Sequence, residues 1–89
     1  MNDKNASKRP RLRAPLELRW RADRRTCELM HLPGGMELNR SAGEILARCD
    51  GTRELDDIIT ELEAHFSVYG LAPDIYRFID EARRLGWLD

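Results

Sequence analysis

The chain has 89 residues, enough for one small domain with a thin core and too few for a deep, self-built active site. Hydrophobic residues make up 42% and charged residues 35%, a globular rather than a disordered balance. The formal net charge of -1 hides an asymmetry: residues 1–25 carry nine Lys/Arg against three acids, residues 26–89 six Arg against thirteen acids.

Residues 1–15 are polar and basic, contain Pro10 and Pro15, and read as a flexible arm, so a single domain is expected over 16–89. No apolar run follows the basic residues, so neither a signal peptide nor a membrane span is expected, and the protein reads as cytoplasmic. Leu16, Leu18 and Trp20 alternate with Glu17, Arg19 and Arg21, the pattern of a half-buried strand. Ala22 to Arg25 form a turn, and a second strand covers Thr26 to Leu32. Pro33-Gly34-Gly35 breaks it. Met36 to Leu38 can only be a short third strand, with Met36 and Leu38 on one face. Three strands joined by short turns predict an antiparallel meander.

From Asn39 the period becomes helical. Asn39 and Ser41 are both good N-caps, and Ser41-Ala42-Gly43-Glu44 fits a capping box. Ala42, Ile45, Leu46 and Cys49 share one face, and Gly51 is the expected left-handed stop. A second helix carries Leu55, Ile58, Ile59, Leu62 and Phe66. A loop over Ser67 to Leu71 leads to Pro73 and Asp74, which open a third helix with the stripe Ile75, Phe78, Ile79, Ala82 and Leu85. Gly86 closes it, and Trp87 and Leu88 fold back on the core. The fold class is therefore α+β, in the order β-β-β-α-α-α. It is a winged helix-turn-helix-like layout with the sheet first and a three-helix bundle after it.

No nucleophile-base pattern, phosphate loop or metal-ligand spacing is present, so no catalytic residue, cofactor or metal is expected. Cys27 and Cys49 read as buried, reduced thiols. Nucleic-acid binding has the layout in its favour and the charge against it. The outward residues of the third helix mix Arg77, Arg83 and Arg84 with Asp80 and Glu81, and the acidic body repels phosphates. A peptide partner fits better, because a short edge strand can pair with a guest strand. Self-assembly into a homodimer through the same edge remains open.

The run Leu38-Asn39-Arg40-Ser41-Ala42-Gly43-Glu44-Ile45-Leu46, then Cys49-Asp50-Gly51-Thr52-Arg53, resembles the family of pyrroloquinoline quinone biosynthesis protein D. Arg9 to Arg13, Leu18-Arg19-Trp20 and Phe78 to Leu88 extend the resemblance over nearly the whole chain. The chain departs from the family at Glu54, where many relatives carry Ser or Thr as a helix cap, and at the insertion-like Ser67 to Leu71. The resemblance implies a non-catalytic peptide chaperone of cofactor biosynthesis. Such a protein binds a ribosomal precursor peptide by strand addition and presents it to a radical-SAM enzyme. The family is also the prototype of the leader-peptide recognition element of other modified-peptide pathways, which is the alternative. The resemblance places the guest beside Gly35, Met36, Glu37, Leu38 and Asn39. It also places it along Tyr76, Arg77, Asp80, Arg83 and Arg84 of the third helix.

Overall fold

A computed structural model describes residues 9–89. The chain forms strands β1 (Glu17–Trp20), β2 (Thr26–Met30) and β3 (Met36–Asn39), then helices α1 (Arg40–Ala47), α2 (Leu55–Phe66) and α3 (Ala72–Arg84). This is the expected β-β-β-α-α-α order. The sheet is antiparallel in the order β1-β2-β3, with Leu18 opposite Leu29, Trp20 opposite Cys27, and Cys27 opposite Leu38.

The period-2 pattern gives the sheet one apolar face. Cys27 and Leu29 are fully buried there, and Leu38 nearly so. The helices cover that face with Ile45, Leu46, Ile58, Leu62, Ile75, Ile79 and Ala82, all buried. Helix α1 lies so close to the sheet at Gly43 that a Cβ there would come within 2.5 Å of Cys27 Sγ and 2.8 Å of Trp20 Cη2. Only a residue without a side chain fits this crossing.

The helix ends refine the sequence reading. The cap of α1 is Asn39, whose side-chain oxygen accepts from the Ala42 N–H at 2.9 Å; Ser41 already lies inside the helix. Asp57 Oδ2 accepts the Glu54 N–H at 3.3 Å, so the acid at position 54 still starts α2. Gly51 is left-handed as expected, but α1 ends earlier, at Arg48, and the Gly51 N–H donates to Pro10 O. Helix α3 ends as anticipated. Gly86 is left-handed, its N–H donates to Arg83 O, and the Trp87 N–H donates to Ala82 O, which folds Trp87 and Leu88 into the core.

Two expectations change. Residues 1–8 of the expected arm lie outside the described residues, but Pro10 to Arg13 belong to the body. Pro10 is buried, the Leu12 N–H donates to Cys49 O, and the Arg13 N–H donates to Trp87 O, each at 2.9 Å. The Asp89 N–H donates to Arg11 O. The domain boundary expected at Leu16 therefore falls too late. Leu85, assigned to the apolar stripe of α3, is 47% exposed, because it sits at the helix C-cap and at the margin of the stripe that Ile75, Ile79 and Ala82 centre.

Candidate functional site

The edge of β3 follows from hydrogen-bond parity. The Arg21 N–H donates to Thr26 O at 3.0 Å, which makes Arg21 and Thr26 a hydrogen-bonded pair between β1 and β2. Antiparallel ladders alternate, so Thr26, Glu28 and Met30 turn their backbone groups toward β1, and Cys27 and Leu29 turn theirs toward β3. Their partners Leu38 and Met36 are thereby occupied. Glu37 directs its N–H and C=O away from the sheet, and so does the N–H of Asn39. Among the described residues no strand pairs with β3 on that side.

The candidate residues of β3 divide accordingly. Glu37 and Asn39 turn backbone groups outward from the sheet. Met36, 41% exposed, and Leu38, buried, present side chains on the inner face. The Gly35 N–H closes the turn onto Leu32 O at 2.8 Å. On the outer face, Arg21 of the first hairpin reaches across to Glu37, Nη2 to Oε2 at 3.5 Å.

The five candidates on α3 share one side of the helix but differ in what each side chain meets. Tyr76 shares a small cleft with Glu54, Leu55 and Asp56 at the start of α2. The Arg83 Nε–H donates to the Asp89 carbonyl at 2.9 Å, at the far end of the helix. The Arg77 Nη1–H donates to Asp74 Oδ1 at 3.2 Å and the Arg84 Nε–H to Glu81 Oε1 at 3.1 Å, so acids one turn away hold both. Asp80 is exposed between them. Charge pairing of this kind leaves little basic footprint for a nucleic acid.

The flank of α3 that meets α1 is a different one. Asp74 and Ile75 line an apolar cleft of about 320 Å³ with Ser41 and Ile45 of α1, Leu62 and Phe66 of α2, and Val68 and Leu71 of the loop. Phe78, half-buried, follows Asp74 by one turn on the same flank. The sequence reading placed Ile75 and Phe78 in the core and passed over this cleft. No local spacing marks it, because its lining is assembled from α1, α2, the loop and α3.

Behind the site, α1 and α2 are joined by an ion-pair cluster. The Arg48 Nη1–H donates to Glu44 Oε1 at 2.8 Å, and the Arg48 Nε–H donates to Glu61 Oε1 at 3.2 Å. Arg53 adds Glu61 at 3.1 Å and Asp50 at 2.9 Å, and His65 Nε2 lies 3.4 Å from Glu44 Oε2. Burial alone would raise the Glu44 carboxyl. The hydrogen bond from Arg48 and the charges of His65, Arg48 and Arg40 outweigh it and hold the group below its usual range. Both thiols shift upward instead. Burial pushes Cys49 up to about 12, and burial with the nearby Glu44 charge raises Cys27. Among the described residues no group of three or more His, Cys, Asp and Glu could hold a metal ion, and no helix is long and apolar enough to cross a membrane.

Comparison with known proteins matches residues 21–88 to the family described as coenzyme PQQ synthesis protein D (PqqD). The chain is similar to the PqqA binding protein of Methylococcus capsulatus, 30% identical with 82% of this chain and 78% of the relative covered. It is 36% identical to PqqA binding protein 2 of Pseudomonas putida, with 83% of each covered. It is 34% identical to the PqqA binding protein of Pseudomonas fluorescens, with 93% and 92% covered. No solved structure gives a significant match.

Proposed function

The chain belongs to the coenzyme PQQ synthesis protein D family, and from that premise we propose that it is a non-catalytic binding protein for a PqqA-type precursor peptide in cytoplasmic PQQ biosynthesis. The peptide adds to β3 as a fourth strand, and the protein presents it to the radical-SAM enzyme that modifies it. The observation that carries this reading is the open edge of β3, where Glu37 offers both backbone groups and Asn39 its N–H. Met36 and the apolar cleft at the start of α1 and α3 supply contact area next to that edge. The relatives' names supply the ligand class.

The experiment is amide exchange with and without a synthetic PqqA peptide. Strand addition at β3 protects the Glu37 and Asn39 amides. It leaves the Leu18 and Trp20 amides on the opposite sheet edge unchanged. A Glu37→Pro variant removes the outward donor without touching the ladder to β2, and should bind the peptide at least tenfold more weakly while keeping its helical circular dichroism. Protection at Leu18 and Trp20 instead, or full affinity in the folded Glu37→Pro variant, would overturn the assignment of this edge.

A further inference from the structure

Resting on strand addition at β3, we propose that the outer face of this edge selects a basic residue in the guest peptide, a Lys or Arg seated opposite Glu37. Parity makes Glu37 the anchor of the edge: with the guest running antiparallel to β3, its N–H and C=O bond the guest residue directly across from it. The side chains of that pair stand on the same face of the sheet, the solvent side, with Cβ atoms about 5 Å apart. The guest side chain at this position therefore has the Glu37 carboxylate as its nearest neighbour.

The row behind it sets the sign of the charge. Arg19, Glu28 and Glu37 stand directly opposite one another across the three strands. Read from β1 outward, the row runs positive, negative, negative. A cation in the fourth place completes it, whereas an acid would set three like charges side by side. Glu28 strengthens the same preference. Its Oε2 lies 3.9 Å from where a Cβ on Gly35 would be, so the missing side chain at position 35 opens the outer face of β3 to a second carboxylate. Arg21 holds Glu37 through one exposed contact, at 3.5 Å. That contact is weak enough for a guest cation to share or replace it.

An exposed cross-strand pair contributes modestly, so the selection shows as register and preference more than as total affinity. The test uses a synthetic PqqA peptide and a set of variants in which each Lys or Arg is changed in turn to Gln or Glu. Affinities are measured at low and high salt against the wild-type protein, Glu37→Lys and Arg21→Gln. One basic position should stand out, losing roughly two- to fivefold on change to Gln and more on change to Glu. In Glu37→Lys the order at that position should invert, so that the Glu peptide binds better than the Lys peptide. In Arg21→Gln the preference for the cation should sharpen, because Glu37 loses its competing partner. High salt should flatten all three differences. If Glu37 and Asn39 amides are protected but no basic position responds to Glu37→Lys, the charge selection is wrong and strand addition stands. If the peptide protects neither amide, both fail.

Discussion

Gly43 and Cys27 meet where helix α1 crosses the sheet, and the space between them admits no methyl group: an added Cβ would come within 2.5 Å of Cys27 Sγ. Behind Cys27 the ring of Trp20 closes the same gap. This crossing sets how near α1 lies to β3, and so how the chain leaves Asn39 at the candidate edge. Gly43→Ala should destabilise the fold by about 1–3 kcal/mol, although alanine is the better helix former. Urea melts of the two proteins measure this. A Gly43→Ala variant as stable as wild type would mean that α1 can move away from the sheet freely.

The segment Pro10–Arg13 should behave as part of the domain. Removing residues 1–15 takes away the hydrogen bonds from Leu12 to Cys49 and from Arg13 to Trp87, together with those that Gly51 and Asp89 donate to Pro10 and Arg11. It also uncovers the C-terminal turn, where Leu12 and Leu88 bridge. A loss of roughly 2–4 kcal/mol is expected, measured as a lower urea midpoint. An unchanged midpoint would show that the segment is not needed for folding.

Acid should weaken the join between α1 and α2. Because the Glu44 carboxyl is lowered in the folded protein, it contributes stability that is present above its unfolded value of about 4.3. That contribution is lost as pH falls through the lower folded value. Asp50, lowered first by hydrogen bonds from the Thr52 hydroxyl and N–H, works in the same direction. Thermal melts between pH 7 and pH 3 should show the wild type falling more steeply than Glu44→Gln. Parallel curves would remove Glu44 from the account.

Both thiols should be inert in the folded protein. Cys49 is pushed up to about 12 and its Sγ–H donates to Ile45 O at 3.2 Å, while Cys27 is fully buried under Gly43. A thiol reagent at pH 8 should label neither residue in the native state and both in urea. Rapid labelling without denaturant would show that the core opens near Gly43.

Much of the fold was legible in the residues themselves. Leu16, Leu18 and Trp20 announce a strand by alternation, and Ile58, Ile59 and Leu62 announce a helix by spacing, because these periods are local geometry. Gly86 announces a helix end, since the turn there needs a left-handed residue. The α3 candidates were less legible. Spacing alone puts Tyr76, Arg77, Asp80, Arg83 and Arg84 on the outward side of the helix. It does not say that Tyr76 turns to the start of α2 and Arg83 to the chain end. Pro10 to Arg13 look like a tail because their partners, Cys49, Gly51, Trp87 and Asp89, are far away in sequence.

The order of elements, the apolar faces and the shortness of β3 are written in the residues, because each depends on neighbours within a turn or two. The residues also carry the family resemblance. Which backbone groups of β3 point outward follows from the assembled sheet, since that parity is passed from Arg21 and Thr26 through β2 to Glu37. Only the packing decided that Leu85 stays exposed. The charge asymmetry resolves in the same way. Basic Arg21 belongs to the front of the chain and acidic Glu37 to the body, and the sheet sets them across from each other at the open edge. Pairing between distant segments is a property of the fold as a whole, and no local pattern encodes it.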